Sequence, residues 1–252
     1  MELIQNKHFS QEQIDQYKEE FESSKPFHHI ILDDFLSTEV AEKLHNFFPE
    51  DELFNKPKKD KHENKLEGDK FEEYPRLFNL LKEEIAKPKF LEFIEQVTGI
   101  ENAFITNDGF GVGIQKGKKG SFEDVHVDFN IHPEKDVQRR LNLQLYLTPR
   151  WKPEWNGALE MWNDCVSKCK KAVSCRFNRA VIFEVKDTSY YGYTKPLECP
   201  DKEERKMFSA TFYTKKEKED ITYHDTIFPE TSQEEKPQNS FFDSIKKVLK
   251  VS

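Results

Sequence analysis

The stretch Phe122–Asn130, FEDVHVDFN, decides how this chain is read. It sets His126 and Asp128 two residues apart in a run with the composition of a β-strand. Side chains at i and i+2 of a strand share a face. One imidazole and one carboxylate therefore project together from a stiff surface. They are two of the three ligands of the facial triad that holds non-haem Fe(II) and leaves coordination positions open. A lone His-x-Asp arises often by chance, so the surrounding sequence has to decide.

Around this stretch the apolar period is 2. From Ala103 onward, short runs rich in β-branched and aromatic residues are separated by turn residues: AFIT, GFGVGIQ, FEDVHVDFN, RLNLQLYL, GALEMW, AVIFEV and MFSATFYT. Many short strands without helices between them predict an antiparallel sandwich or barrel. In Arg140–Leu147 the leucines 141, 143, 145 and 147 take one face, and Asn142, Gln144 and Tyr146 take the other. That second face fits the lining of a polar cavity, and it equally fits an ordinary solvated face.

Before Ala103 the period is helical. Ser10 and Gln13 form a capping box for a helix over Gln11–Ser23 with Ile14, Tyr17 and Phe21 on one side. Phe27–Leu32 reads as a strand, and Ser37 as the cap of a helix carrying Val40, Leu44, Phe47 and Phe48. Asp51–Lys70 is dense in charge and nearly free of apolar residues, which predicts a solvated loop, with a lid over a site as the alternative. Tyr74–Val97 is helical in period, broken or kinked at Pro88 and ended by Gly99.

The 252 residues suit one structural domain. Residues 1–100 are expected to support a core at 101–214, followed by a polar connection and an amphipathic helix in 215–252. In that helix Phe241, Phe242, Ile245, Val248 and Leu249 share a face. The net charge of −8 argues against a general nucleic-acid binder. No apolar run approaches the ~20 residues of a membrane span. No signal-peptide pattern is seen, and four cysteines without a CxxC pair read as free thiols, so a cytoplasmic location is expected.

The run from His126 to Trp162 resembles the 2-oxoglutarate/Fe(II)-dependent oxygenases of the prolyl-4-hydroxylase-like group. The resemblance rests on an HxD strand, then RxLNxxLYL at Arg140–Leu147, a Trp-containing turn at Trp151–Trp155, and Gly-x-Leu-x-Met-Trp at Gly157–Trp162. It extends to PFHHIILDDFLS at Pro26–Ser37 and to RKMFSATFYT from Arg205. It implies a mainly β fold with flanking helices and a double-stranded β-helix, or jelly-roll, core. It also implies Fe(II) held by His126 and Asp128, and 2-oxoglutarate as co-substrate. Arg205 and Tyr146 would bind the distal carboxylate of 2-oxoglutarate, with Asn142 on the same strand face. The activity implied is hydroxylation of a C–H bond in a small molecule or peptide, such as a prolyl residue.

The chain departs from this pattern at one point. The family's third ligand is a histidine shortly before the arginine. Here the matching run is Ser189-Tyr190-Tyr191-Gly192-Tyr193, and no histidine lies between His132 and His224. Tyr191 stands where the histidine belongs. Three readings follow: Tyr191 ligates as a phenolate, His132 completes the site, or the iron chemistry is lost and a jelly-roll binding protein remains. An oxidase with a tyrosine-ligated metal is a further alternative within the first.

Overall fold

The computed structural model describes residues 2–216 and 221–229, and the expected helix over 240–251 lies outside them. Four helices are interleaved with the first three strands: α1 (Gln11–Ser23), α2 (Thr38–Asn46), α3 (Arg76–Ile85) and α4 (Pro88–Thr98). Ser10 Oγ accepts the Gln13 N–H at 3.3 Å, so the first cap forms as the sequence predicts. Pro88 separates α3 from α4 outright, taking the first helical turn of α4, where its missing N–H costs nothing. Gly99 ends α4 with φ +69°, in the left-handed region. Phe47 is an exception to the expected stripe of α2. It sits in the non-helical residue that ends the helix and is 62% exposed, whereas Phe48 is buried.

Eleven strands form one curled, wholly antiparallel sheet. They are β1 (His29–Leu32), β2 (Lys56–Lys59), β3 (Glu63–Gly68), β4 (Gly113–Gly117), β5 (Phe122–His126), β6 (Val137–Tyr146), β7 (Leu159–Trp162), β8 (Cys169–Val173), β9 (Arg179–Glu184), β10 (Tyr191–Tyr193) and β11 (Arg205–Lys215). Their order is β1-β9-β6-β11-β4-β3-β5-β10-β7-β8, with β2 paired to β3 alone. This is the jelly-roll core that the resemblance implies, with helices on one side. No described helix is long and apolar enough to cross a membrane.

The two faces of β6 divide the molecule. Leu141, Leu143, Leu145 and Leu147 are fully buried in the main core, with Phe78, Phe90, Phe93, Phe208 and Phe212. Asn142, Gln144 and Tyr146 face the other way, into the interior of the roll. One end of that interior is apolar, filled by Tyr146, Met161, Val181, Phe183 and Met207. The other end is open and polar.

The expected loop at Asp51–Lys70 is instead a hairpin, β2–β3, whose second strand bridges β4 and β5. Its charges alternate: Glu63, Lys65 and Glu67 occupy every second position. Lys65 pairs with both glutamates and with Glu123 of β5. Charged groups that neutralise one another can be buried, so low hydropathy did not mark this segment as solvated.

Candidate active site

A cavity of about 470 Å³ opens into the polar end of the roll. His126 closes β5, and Asp128 lies just beyond it. His126 Nδ1 lies 3.0 Å from the Asp124 carbonyl. A carbonyl can only accept, so Nδ1 carries a proton there, and Nε2 is the nitrogen that faces Asp128 and Glu123. Nε2 stands 3.9 Å from Asp128 Oδ1. These two atoms are free to share a divalent cation, and the carbonyl behind the ring fixes its tautomer as metal-binding histidines require.

Tyr191, on β10, is the direct cross-strand partner of His126, with ring centroids 4.4 Å apart. Its hydroxyl donates to Asp128 Oδ2 at 2.5 Å. Burial, and then the Asp128 carboxylate, push the phenol well above its ordinary pKa range. Tyr191 is thus a neutral hydrogen-bond donor in this arrangement. Asp128 Oδ2 also accepts from Asn142 Nδ2 at 2.8 Å and pairs with Arg139 Nη2 at 2.9 Å. Burial works against ionisation of Asp128, but Arg139, His126 and the two hydrogen bonds outweigh it and hold the carboxyl below its ordinary value.

Arg139 is a residue that strand alternation hides. Counting back from Leu141 puts it on the leucine face. However, β11 pairs Phe212 with Leu141 and Tyr213 with Arg139, so β6 carries one extra residue there. This bulge turns Arg139 to the cavity side, where it stacks on Phe129 and donates two hydrogen bonds to Asn142 Oδ1. A second bulge lies in β5: Tyr191 faces His126, but Tyr193 faces Glu123. Glu123 thereby joins His126 on the cavity wall, its Oε1 3.8 Å from His126 Nε2. Burial opposes the Glu123 charge, and Lys65 foremost, then His126 and Arg205, overcome that and hold its carboxyl below its ordinary value.

Asn142 and Gln144 line the cavity as expected. Tyr146 and Arg205 lie together, but neither is among the lining residues. The Tyr146 hydroxyl donates to Gln144 Oε1 at 3.0 Å. Arg205 is 3% exposed, and its guanidinium lies over the rings of Tyr193, at 4.5 Å, and Tyr146, at 5.1 Å. Its Nε donates to the Gly157 carbonyl and faces Cys175 Sγ. No carboxylate among the described residues forms a salt bridge with it. His132 is not among the residues that line the cavity; its ring meets that of Phe110 at 4.7 Å between centroids with a 59° tilt, and its Nε2 lies 3.3 Å from Asp108 Oδ2.

The sequence model of the 2OG-Fe(II) oxygenase superfamily matches residues 112–220. No curated protein matches the chain. Among solved structures, a prolyl-4-hydroxylase from Pseudomonas putida is 14% identical, covers 79% of this chain and 99% of its own, and superposes with a TM-score of 0.56. A prolyl hydroxylase from Trichoplax adhaerens, solved with a hypoxia inducible factor oxygen degradation domain peptide fragment, is 15% identical over 82% of this chain and 94% of its own, TM-score 0.54. A viral collagen prolyl hydroxylase from Paramecium bursaria Chlorella virus-1, solved as a 2OG complex, is 13% identical over 77% and 98%, TM-score 0.53. The matched segment contains His126, Asp128, Asn142, Tyr191 and Arg205, so the cavity lies in the stretch that is similar to the 2OG-Fe(II) oxygenase superfamily, on a fold like that of the prolyl-4-hydroxylases.

Proposed function

We propose that this protein is a 2-oxoglutarate- and Fe(II)-dependent dioxygenase that hydroxylates a C–H bond, at a prolyl residue or a related small substrate. The observation that carries this reading is the pairing of His126 Nε2 with Asp128 Oδ1 across 3.9 Å, in the lining of a cavity within the stretch similar to this superfamily. His126 and Asp128 would hold the metal. Bound Fe(II), with 2-oxoglutarate and oxygen, supplies the oxidation, giving succinate, CO2 and the hydroxylated product.

The rest is the work of the chain. Tyr191 and Asn142 orient Asp128 so that Oδ2 is occupied and Oδ1 stays presented to the cavity. His126 is held in one tautomer by the Asp124 carbonyl. Arg205 is a buried cation that forms no salt bridge with a carboxylate among the described residues, and a bound dicarboxylate would help to balance its charge. The bridging hairpin screens this end of the cavity from water. The four free cysteines fit a cytoplasmic setting.

A second reading has its own support. Asp128 already carries a guanidinium and two hydrogen-bond donors, and the third ligand position holds a neutral phenol. Such a site suits a binding protein that has lost turnover. A tyrosine-ligated oxidase finds less support, since Tyr191 would first have to lose its proton beside a carboxylate.

Loading the full chain anaerobically with Fe(II) and 2-oxoglutarate, admitting oxygen and measuring succinate tests the proposal. Succinate that disappears in Asp128→Ala supports it. Protein that retains no metal and forms no succinate sinks it and leaves the binding protein.

A further inference from the structure

Residues 221–229, ITYHDTIFP, lie within the segment that the sequence marks only as a polar connection. In the structure they run along the cavity, three of them among its lining residues. Ile227 and Val127 form an antiparallel bridge, with Val127 N–H donating to the Ile227 carbonyl at 3.0 Å and Ile227 N–H donating back at 2.9 Å. Val127 sits between His126 and Asp128, so this bridge is made to the backbone of the metal-binding stretch itself. Asn130 clasps the same segment: its amide donates to the Thr222 carbonyl at 3.0 Å, and its Oδ1 accepts the His224 N–H at 3.0 Å. His224 reaches Asp187 at 3.1 Å.

One side chain of the segment points inward. The Phe228 ring lies flat on His62 of the hairpin, 4.4 Å between centroids with a 4° interplanar angle, and its centroid is 5.5 Å from that of His126. Asp225, Thr226 and Phe228 line the cavity beside His126, Asp128 and Tyr191. The opposite side is poorly anchored. Tyr223 is 48% and Ile227 45% exposed. Among the described residues a handful of peripheral hydrogen bonds and the stack of Phe228 on His62 hold the segment. Such segments open well before the fold does.

We propose that residues 221–229 are a self-docked strand that closes the cavity over His126 and keeps the place of a second extended polypeptide on the Val127 edge. Lifting it exposes Phe228's seat between His62 and His126. It also leaves the Val127 N–H and C=O unpaired, a backbone edge that an incoming extended chain satisfies as this segment does. The tether gives the strand a high local concentration, so a competing polypeptide binds weakly until the strand is released. This rests on the reading above for the nature of the cavity but not for the docking itself.

The test uses the full chain, a fluorescein-labelled peptide of residues 221–229, and a scrambled peptide of the same composition. Ile227→Pro removes the N–H that bonds to Val127, and Phe228→Ala removes the stack. Both changes lie outside the core. The labelled peptide should bind Ile227→Pro at least tenfold more tightly than the parent, by anisotropy, with the scrambled peptide failing to bind. Carbethoxylation of His126 by diethyl pyrocarbonate, read by mass spectrometry, should run at least tenfold faster in Ile227→Pro and in Phe228→Ala, and slow again when the peptide is added. Equal peptide affinity for parent and variants, indifference to scrambling, or an unchanged His126 rate would overturn the proposal. Neither readout needs metal, 2-oxoglutarate or oxygen. Failure here therefore leaves the oxygenase reading untouched, while absence of succinate in the Asp128-intact protein speaks to that reading alone.

Discussion

Replacing Tyr191 with phenylalanine separates the two roles its hydroxyl could have. In the structure that hydroxyl is one of three donors to Asp128 Oδ2, beside Asn142 at 2.8 Å and Arg139 at 2.9 Å. A hydrogen bond to a buried charged group contributes roughly 1.5–3 kcal/mol. Two donors remain after the change and the ring is kept, so the expected loss is about 2 kcal/mol, near the lower part of that range. For a chain of this size about 2 kcal/mol corresponds to a drop of roughly 4–8 °C in Tm. The effect on metal should have the opposite sign. Tyr191 draws charge from the carboxylate that would ligate, so its removal leaves Asp128 a better ligand, and affinity for Fe(II) or Mn(II) stays equal or rises. Were Tyr191 a phenolate ligand, its loss would cut affinity by about 100-fold or more, beyond the usual cost of removing an outer partner. Thermal unfolding and anaerobic metal titration of Tyr191→Phe read both quantities. A hundredfold fall in affinity with an unchanged Tm would refute the reasoning.

Three further outcomes are expected. Arg139→Gln strips the guanidinium from a carboxylate held below its ordinary value, so the metal-free protein should lose about 3–5 kcal/mol in urea unfolding. A divalent metal should restore most of that loss; no rescue would mean that the metal does not bind at Asp128. At Gly192 a β-carbon would come within 2.8 Å of the Glu123 and Asp124 carbonyl oxygens. Gly192→Ala should therefore push β10 off β5 and cost about 1–3 kcal/mol, and a silent substitution would contradict the observed pairing of Tyr191 with His126. Asp33 is gripped by Arg179 through 2.7 and 2.9 Å hydrogen bonds and by Arg176 at 3.1 Å, and the Arg179 bond first of all holds its carboxyl below the ordinary value. A depressed carboxyl stabilises the fold above its unfolded-state pKa and ceases to as pH falls through the folded value. Asp33→Asn should cost on the order of 1 kcal/mol at pH 7, with the gap to the parent narrowing as the pH falls below about 4; a gap that does not narrow there would show that the charge is not its source.

The sequence carried the site's centre because strand geometry there is simple. His126 and Asp128 project together, and Asn142 and Gln144 line the cavity from the polar face of β6, one of the two roles that face left open. What it concealed has three physical causes. Bulges reverse alternation, and neither Arg139 nor Glu123 can be put on the cavity side without knowing that the strands slip there. Mutual charge pairing makes a buried strand look solvated, as at Glu63, Lys65 and Glu67. Long-range pairing leaves no local periodicity, so the crossing of residues 221–229 over Val127 left no trace in their own composition. Arg205 and Tyr146 illustrate a further limit. Their proximity follows from strand register, with Tyr146 paired to Met207 two residues after Arg205, but register alone does not say that Gln144 stands between them and the cavity.

The central claim is that His126 and Asp128 form a metal site able to take 2-oxoglutarate with Tyr191 as a bystander donor. Anaerobic titration of the full chain with Fe(II), then 2-oxoglutarate, followed in the visible region, tests it most directly. A metal-to-ligand charge-transfer band that appears only when both are present, persists in Tyr191→Phe and is absent in Asp128→Ala is the result expected. No band and no retained iron in the parent, or a band lost with the Tyr191 hydroxyl, would contradict it.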